Sequence, residues 1–280
     1  MAELAARQAG VVSRAQVHAV GLTDGAVRSR LEQGRWRRLL PGTYATFSGA
    51  VPRAALRWAA VLYAGSGALL SHDTAAELLR LCAERAGPIH VTVPRHRRLQ
   101  PQRGLVVHHS VWAEAARHPT HLPPVTRIEE TVVDLTQTAP SVGDAVGWLA
   151  RACSSRLTTA DRLQATFRGR PRVRWRQPLA EALREVHAGC HSALELAYLT
   201  RVERAHGLPR GARQARSGTR TRSRYDDVRY IDYGLAVELD GRAAHPEQRR
   251  GFDRRRDNDT VLSGAAVLRF GWDDVSGHPC

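Results

Sequence analysis

The stretch Asp227–Asp240, reading Asp-Val-Arg-Tyr-Ile-Asp-Tyr-Gly-Leu-Ala-Val-Glu-Leu-Asp, constrains this chain more than any other. With Ile231-Asp232-Tyr233-Gly234 as a turn between two strands, Tyr230 pairs with Leu235, Arg229 with Ala236, Val228 with Val237 and Asp227 with Glu238. Directly opposed residues of an antiparallel pair share a face, and so do alternate residues along each strand. Asp227, Glu238 and Asp240 therefore converge on one face, while Val228, Val237 and Leu239 take the other. Like charges held opposite one another cost stability unless a cation or a shared proton offsets them. The hairpin is thus a candidate hard-metal site.

The rest of the chain is strongly basic. Its 280 residues carry a formal charge of +15, and all 42 basic residues are arginine. Biased codon usage accounts for the missing lysine better than for the surplus positive charge. That surplus points to a polyanionic partner, because the guanidinium fork suits phosphate and guanine edges. No apolar run reaches the ~18 residues of a membrane span; the longest, Trp58–Leu70, reads as a buried helix and its end. The N-terminus lacks a signal pattern, and Cys82, Cys153, Cys190 and Cys280 form no Cys-x-x-Cys pair. A cytoplasmic protein, with no membrane partner, is expected.

Residues 2–46 read as a winged helix-turn-helix. Ala2–Gln8 forms a helix ended by Gly10. Ser13 caps a second from Arg14 to about Val20, and Thr23 a third, Asp24–Gln33, with Gly34 past its last turn. Arg35-Trp36-Arg37-Arg38-Leu39, Pro41-Gly42 and Thr43-Tyr44-Ala45 make a hairpin, the wing. The third helix would read the major groove while the wing meets the backbone. Arg28, Arg30, Arg35 and Arg37 are the candidate contacts to double-stranded DNA; a small helical bundle with a solvated arginine surface is the plainer alternative.

With Gly34-Arg-Trp-Arg-Arg-Leu-Leu-Pro-Gly42-Thr-Tyr44, this stretch resembles the N-terminal winged-helix domain of AbiEi-type antitoxins. The resemblance implies a repressor of a toxin–antitoxin operon, with a cognate toxin as a possible partner. The layout that follows is also similar to the AbiEi middle region. It has helices Arg53–Tyr63 and His72–Leu81, strands Ile89–Val93 and Leu105–His109, and a helix Ile128–Thr136 after Val125-Thr126. Histidines cluster here (His90, His96, His108, His109, His118, His121), but none has the i, i+4 helical spacing of zinc proteases. Satisfied or exposed histidines are the expectation, with a metal site as the alternative.

Val142–Ala152, Thr159–Thr166 and Gln177–Val186 read as helices, with Arg168–Arg176 a basic connector. Ser192 can cap a helix from Ala193 to about His206, which leaves Glu195 either a capping-box residue or a functional one. Arg210–Arg224 reads as a flexible arginine-rich loop. A charged helix with Asp253, Arg256 and Asp257 on one face, then a strand Ala265–Phe270, complete the chain.

Ser192-Ala-Leu-Glu195, Tyr225-Asp-Asp227-Val228, Val237-Glu238-Leu-Asp240-Gly241, His245, Asp253-x-x-Arg256-Asp257-Asn258 and Leu268-Arg-Phe-Gly-Trp272 together resemble a domain family related to the very-short-patch mismatch-repair endonucleases, within the PD-(D/E)XK nuclease superfamily. The resemblance implies Asp227 and Glu238 as Mg²⁺ (or Mn²⁺) ligands and Glu195 as an accessory carboxylate. It puts Asp240 where the superfamily has lysine, so a transition-state cation must come from arginine or a second metal. His245 could position water or protonate the leaving oxygen.

The expected class is a multidomain α+β or α/β protein. It has a winged helix-turn-helix at 1–47, a mixed α/β middle region at 48–140, a helical connector at 141–187 and a restriction-endonuclease-like core at 188–280. Two functions fit: a DNA-binding protein with a metal-dependent endonuclease domain, or a non-catalytic antitoxin-like repressor.

Overall fold

A computed structural model of the chain describes residues 1–187, 193–219, 222–240, 266–271 and 274–275. It is a mixed α/β protein with several small sheets, divided into two compact units, Met1–Leu135 and Thr136–Cys280.

The first unit opens with α1 (Ala2–Arg7), β1 (Val11–Ser13), α2 (Arg14–Ala19), α3 (Asp24–Glu32), β2 (Arg37–Leu40) and β3 (Thr43–Ala45). Local chemistry sets these boundaries. Ser13 Oγ accepts the Gln16 N–H at 3.2 Å while Gln16 Oε1 accepts the Ser13 N–H at 2.9 Å, a reciprocal cap that starts α2. Thr23 Oγ1 accepts the Ala26 N–H at 3.3 Å and starts α3. Gly34, at φ 67°, turns the chain out of α3. The strands form one sheet, ordered β1-β3-β2, in which β1 is an addition to the expected hairpin. Val12, Val17, Val27, Trp36 and Tyr44 are buried together beneath it.

The unit continues through α4 (Arg53–Ala64), β4 (Leu69–Leu70), α5 (His72–Leu78), β5 (Ile89–Pro94), β6 (Leu105–Ser110) and α6 (Ile128–Thr138), the last running across the division. Leu69 and Leu70 are a strand, not the end of a helix, because they pair with Thr92 and Val91. The sheet is ordered β4-β5-β6, with β5 and β6 parallel. α4 buries Ala55 and Ala59 against Val11, and Ala60, Val61 and Ala64 against Val91 and Val93. One helix therefore serves two cores.

The second unit holds α7 (Val142–Ser154), α8 (Ala160–Gly169), α9 (Arg176–His187) and α10 (Ala193–Ala197), then a π-helix, Tyr198–Arg204. The π-helix replaces the expected run of α-helix to His206. β7 (Ala212–Thr219), β8 (Arg222–Tyr230), β9 (Leu235–Asp240) and β10 (Ala266–Gly271) form a sheet ordered β10-β9-β8-β7. The arginine-rich segment expected as a flexible loop is therefore largely strand. β7 pairs antiparallel with β8 from Ala212↔Arg229 to Thr219↔Arg222. The ladder overrides weak local strand propensity. Gly211 makes the entry possible: a Cβ there would fall 2.3 Å from Val228 Cγ1.

Candidate functional site

On the reading helix, Arg28 is exposed, and so are Arg35, Arg37 and Arg38 on the way into the wing. Arg30 is turned back. Its Nη1 donates to Ala26 O at 2.9 Å, and its guanidinium lies 5.5 Å from the Trp36 ring centroid. Arg37 Nη2 donates to Ser48 O at 3.2 Å. At the start of α3, Asp24 accepts from Arg14 and from His18 Nε2, the latter at 2.8 Å. Those bonds hold its carboxyl down at about 2. Asp24 thereby ties α2 to α3 and stands at the positive end of the helix dipole.

In the second unit the hairpin register is Tyr230↔Leu235, Arg229↔Ala236 and Val228↔Val237, around a 3-10 turn at Ile231–Tyr233 closed by Gly234 at φ 57°. The expected fourth pair, Asp227 with Glu238, is not part of the described ladder. Asp227 Oδ2 instead accepts the Leu239 N–H at 2.8 Å, and Oδ1 accepts from Gln214 Nε2 at 3.4 Å. Val228 and Val237 are buried; Asp227 and Glu238 are half-buried on the other face. Asp226 is 1% exposed, which puts it with the core. Glu238 faces Arg269 across the parallel β9–β10 pair, and Arg269 Nε donates to Glu238 Oε2 at 2.9 Å.

Leu194 of α10 joins the core of Val228, Tyr230 and Val237, so this helix covers the face opposite Asp227 and Glu238. Glu195, carried by α10, is 5% exposed. Asp240 pairs with Gly271 in the β9–β10 register. His245 and the segment with Asp253, Arg256 and Asp257 lie outside the described residues, as does Ser192. Arg269 is an arginine beside this face that no sequence spacing singled out, because it reaches Glu238 only through the parallel pairing of β10 with β9.

A second cluster joins two of the histidines singled out in the sequence, His90 and His108, to His72, which was not. His72, His90 and His108 bring one ring nitrogen each to within 4.8 Å of one another. Burial pushes His72 down to about 3 and His108 to about 4, and lowers His90 as well. His72 was missed because it reads as a helix-start residue, and its approach to His108 depends on sheet topology rather than spacing.

Residues 1–46 match the family described as "Transcriptional regulator, AbiEi antitoxin". Among solved structures, the crystal structure of the RV2827C protein from Mycobacterium tuberculosis is similar at 22% identity, over 65% of this chain and 75% of that one, with a TM-score of 0.44. No curated protein matches the sequence. Among the described residues, no helix is long and apolar enough to cross a membrane.

Proposed function

We propose that the chain is a DNA-binding transcriptional regulator of the antitoxin type, which reads duplex DNA through α3 and the β2–β3 wing. The observation that carries this reading is the exposure of Arg28 on α3 together with Arg35, Arg37 and Arg38 beside the wing, on a winged-helix frame whose N-terminal sequence matches the regulator family. Helix-borne side chains would meet base edges, and wing arginines the phosphates. A cognate toxin is the protein partner this class implies. The test is fluorescence anisotropy with the promoter fragment of the chain's own operon. Arg28→Ala combined with Arg37→Ala should weaken binding at least tenfold with the fold intact by circular dichroism; unchanged affinity overturns the assignment.

A second reading rests on Asp227 and Glu238, oxygen donors half-buried on one sheet face with Arg269 beside them. Such donors suit Mg²⁺ or Mn²⁺. Asp227 and Glu238 would hold the ion, which would polarise a phosphoryl oxygen and lower the pKa of an attacking water. Arg269 would supply the cation that lysine supplies in related nucleases, and Glu195 would be the helix-borne accessory carboxylate. Plasmid incubated with the protein and Mg²⁺ or Mn²⁺ decides it. Cleavage abolished by Asp227→Ala and by Glu238→Ala supports hydrolysis; no cleavage with either metal leaves the regulator alone.

A further inference from the structure

We infer that His72, His90 and His108 form a binding site for a Zn²⁺-class transition-metal ion in the first unit, with Asp73 orienting His90 from behind. The three come from three different elements. His72 begins α5 directly after β4, His90 lies on β5 and His108 on β6. In the parallel β5–β6 register Thr92 stands opposite His108, two residues on from His90, so the two imidazoles rise from the same face of the sheet.

The ring nitrogens lie close enough together for one ion to reach all three once the rings turn. His90 Nδ1 and His108 Nε2 are 3.1 Å apart. Two nitrogens each about 2.0–2.1 Å from one tetrahedral ion would stand about 3.3 Å apart. The far nitrogen of His90, Nε2, is 3.9 Å from Asp73 Oδ2. That is too long for a hydrogen bond as the rings stand, and the turn that brings His90 onto an ion would have to close it; a carboxylate hydrogen-bonded behind a metal-bound imidazole fixes its tautomer and raises its basicity. His72 Nδ1 lies 3.0 Å from Ser71 Oγ, which is buried, leaving Nε2 as the ligand atom. Imidazole donors favour zinc, copper and nickel over magnesium or calcium.

Two further observations point to a ligand. The Thr92 hydroxyl, on the same face and opposite His108, is buried and finds no hydrogen-bond partner. Buried hydroxyls in folded proteins are nearly always bonded. His72 also holds a left-handed backbone at φ 50°, a conformation that non-glycine residues rarely adopt. The rings of His72 and His108 stack with centroids 3.6 Å apart and 14° between planes. In-plane lone pairs of parallel rings run side by side, so closing on one ion requires these rings to turn about their Cβ–Cγ bonds. Three imidazoles leave a fourth position for water. The ion would tie the β4–α5 junction to β5 and β6.

The experiment is titration of the metal-free full chain with Co²⁺, read by visible ligand-field absorption, and with Zn²⁺ in competition against a chromophoric chelator. The expected result is saturation at one equivalent with an intense, tetrahedral-type Co²⁺ spectrum that Zn²⁺ abolishes. His90→Gln and His108→Gln should each lose the spectrum. Asp73→Asn should weaken Zn²⁺ binding by about 10–100-fold, while His96→Gln and His109→Gln leave it unchanged. If the histidine variants fail to fold, the wild-type titration still decides. Absence of one-equivalent saturation, an octahedral-type spectrum, or a spectrum that survives His108→Gln but is lost in His109→Gln each overturns the site.

Discussion

Arg269 Nε donates to Glu238 Oε2 at 2.9 Å from the matched position on the neighbouring parallel strand. In an arginine-only chain this pairing is how a carboxylate beside Asp227 is offset without lysine. Both partners are partly solvated, with side chains 37% and 16% exposed, so the pair is worth about 0.5–1 kcal/mol. Arg269→Ala should lower stability by that amount in urea denaturation. In a Glu238→Gln background the same change should cost close to nothing. Equal costs in both backgrounds would show that Arg269 acts through something other than Glu238.

Arg28 and Arg30, two residues apart, are predicted to separate in their effects. Arg30 packs its guanidinium over Trp36 and bonds Ala26 O, whereas Arg28 is exposed. Arg30→Ala should destabilise the protein by about 0.5–1 kcal/mol. Arg28→Ala should leave the melting temperature unchanged and lower the salt slope of DNA binding by about one. Thermal denaturation beside anisotropy at several salt concentrations checks both. A salt slope that falls for Arg30→Ala and not for Arg28→Ala would reverse their roles.

What was legible in the sequence follows from how local each cause is. The winged helix could be read because Ser13, Thr23 and Gly34 act within a turn of their own position. The hairpin register could be read because a period of two sorts Val228 and Val237 from Asp227 and Glu238 in only one way. The strand nature of Arg213–Thr219 could not. Its arginines, glycine and serine carry little strand preference, and it is held by pairing with β8 rather than by its own composition. The place of His72 beside His90 and His108 was illegible for the same reason, since it reaches His108 only through the β4-β5-β6 order.

In the second unit, Glu203 of the π-helix is a buried hub. It accepts from Arg213 Nη2 at 2.9 Å, from the Tyr230 hydroxyl at 3.0 Å and from the Gly211 N–H at 3.3 Å. Burial and the neighbouring Glu203 carboxylate both raise the Tyr230 hydroxyl, which stays protonated and donating. Glu203→Ala leaves Arg213 buried without its counter-charge and should cost about 3–5 kcal/mol. Tyr230→Phe removes the bond to Glu203 and the 3.3 Å bond shared with the Tyr198 hydroxyl, and should cost about 1–2 kcal/mol. Urea denaturation ranks the two; a larger loss for Tyr230→Phe would mean that the hydroxyl, not the charge, organises the hub.

Glu77 offers a pH test in the first unit. Its carboxylate is 3% exposed and is bonded by Arg53 at 2.8 and 3.0 Å and by Arg57 at 2.9 Å, joining α4 to α5. Burial alone would raise its proton affinity, but the bonds from Arg53, Arg57 and the Arg85 N–H outweigh it, and the group is lowered from its ordinary value of 4.5. A depressed carboxyl binds its proton more weakly in the folded chain than in the unfolded one. Its contribution is therefore complete above the unfolded value and is lost as pH falls through the folded one. Glu77→Gln should cost about 3 kcal/mol at pH 7. The difference between wild type and variant should narrow steadily as pH falls below 4.5. Denaturation at a series of pH values reads this directly, and a gap that widens on acidification would refute the ion-pair account of how α5 is held to α4.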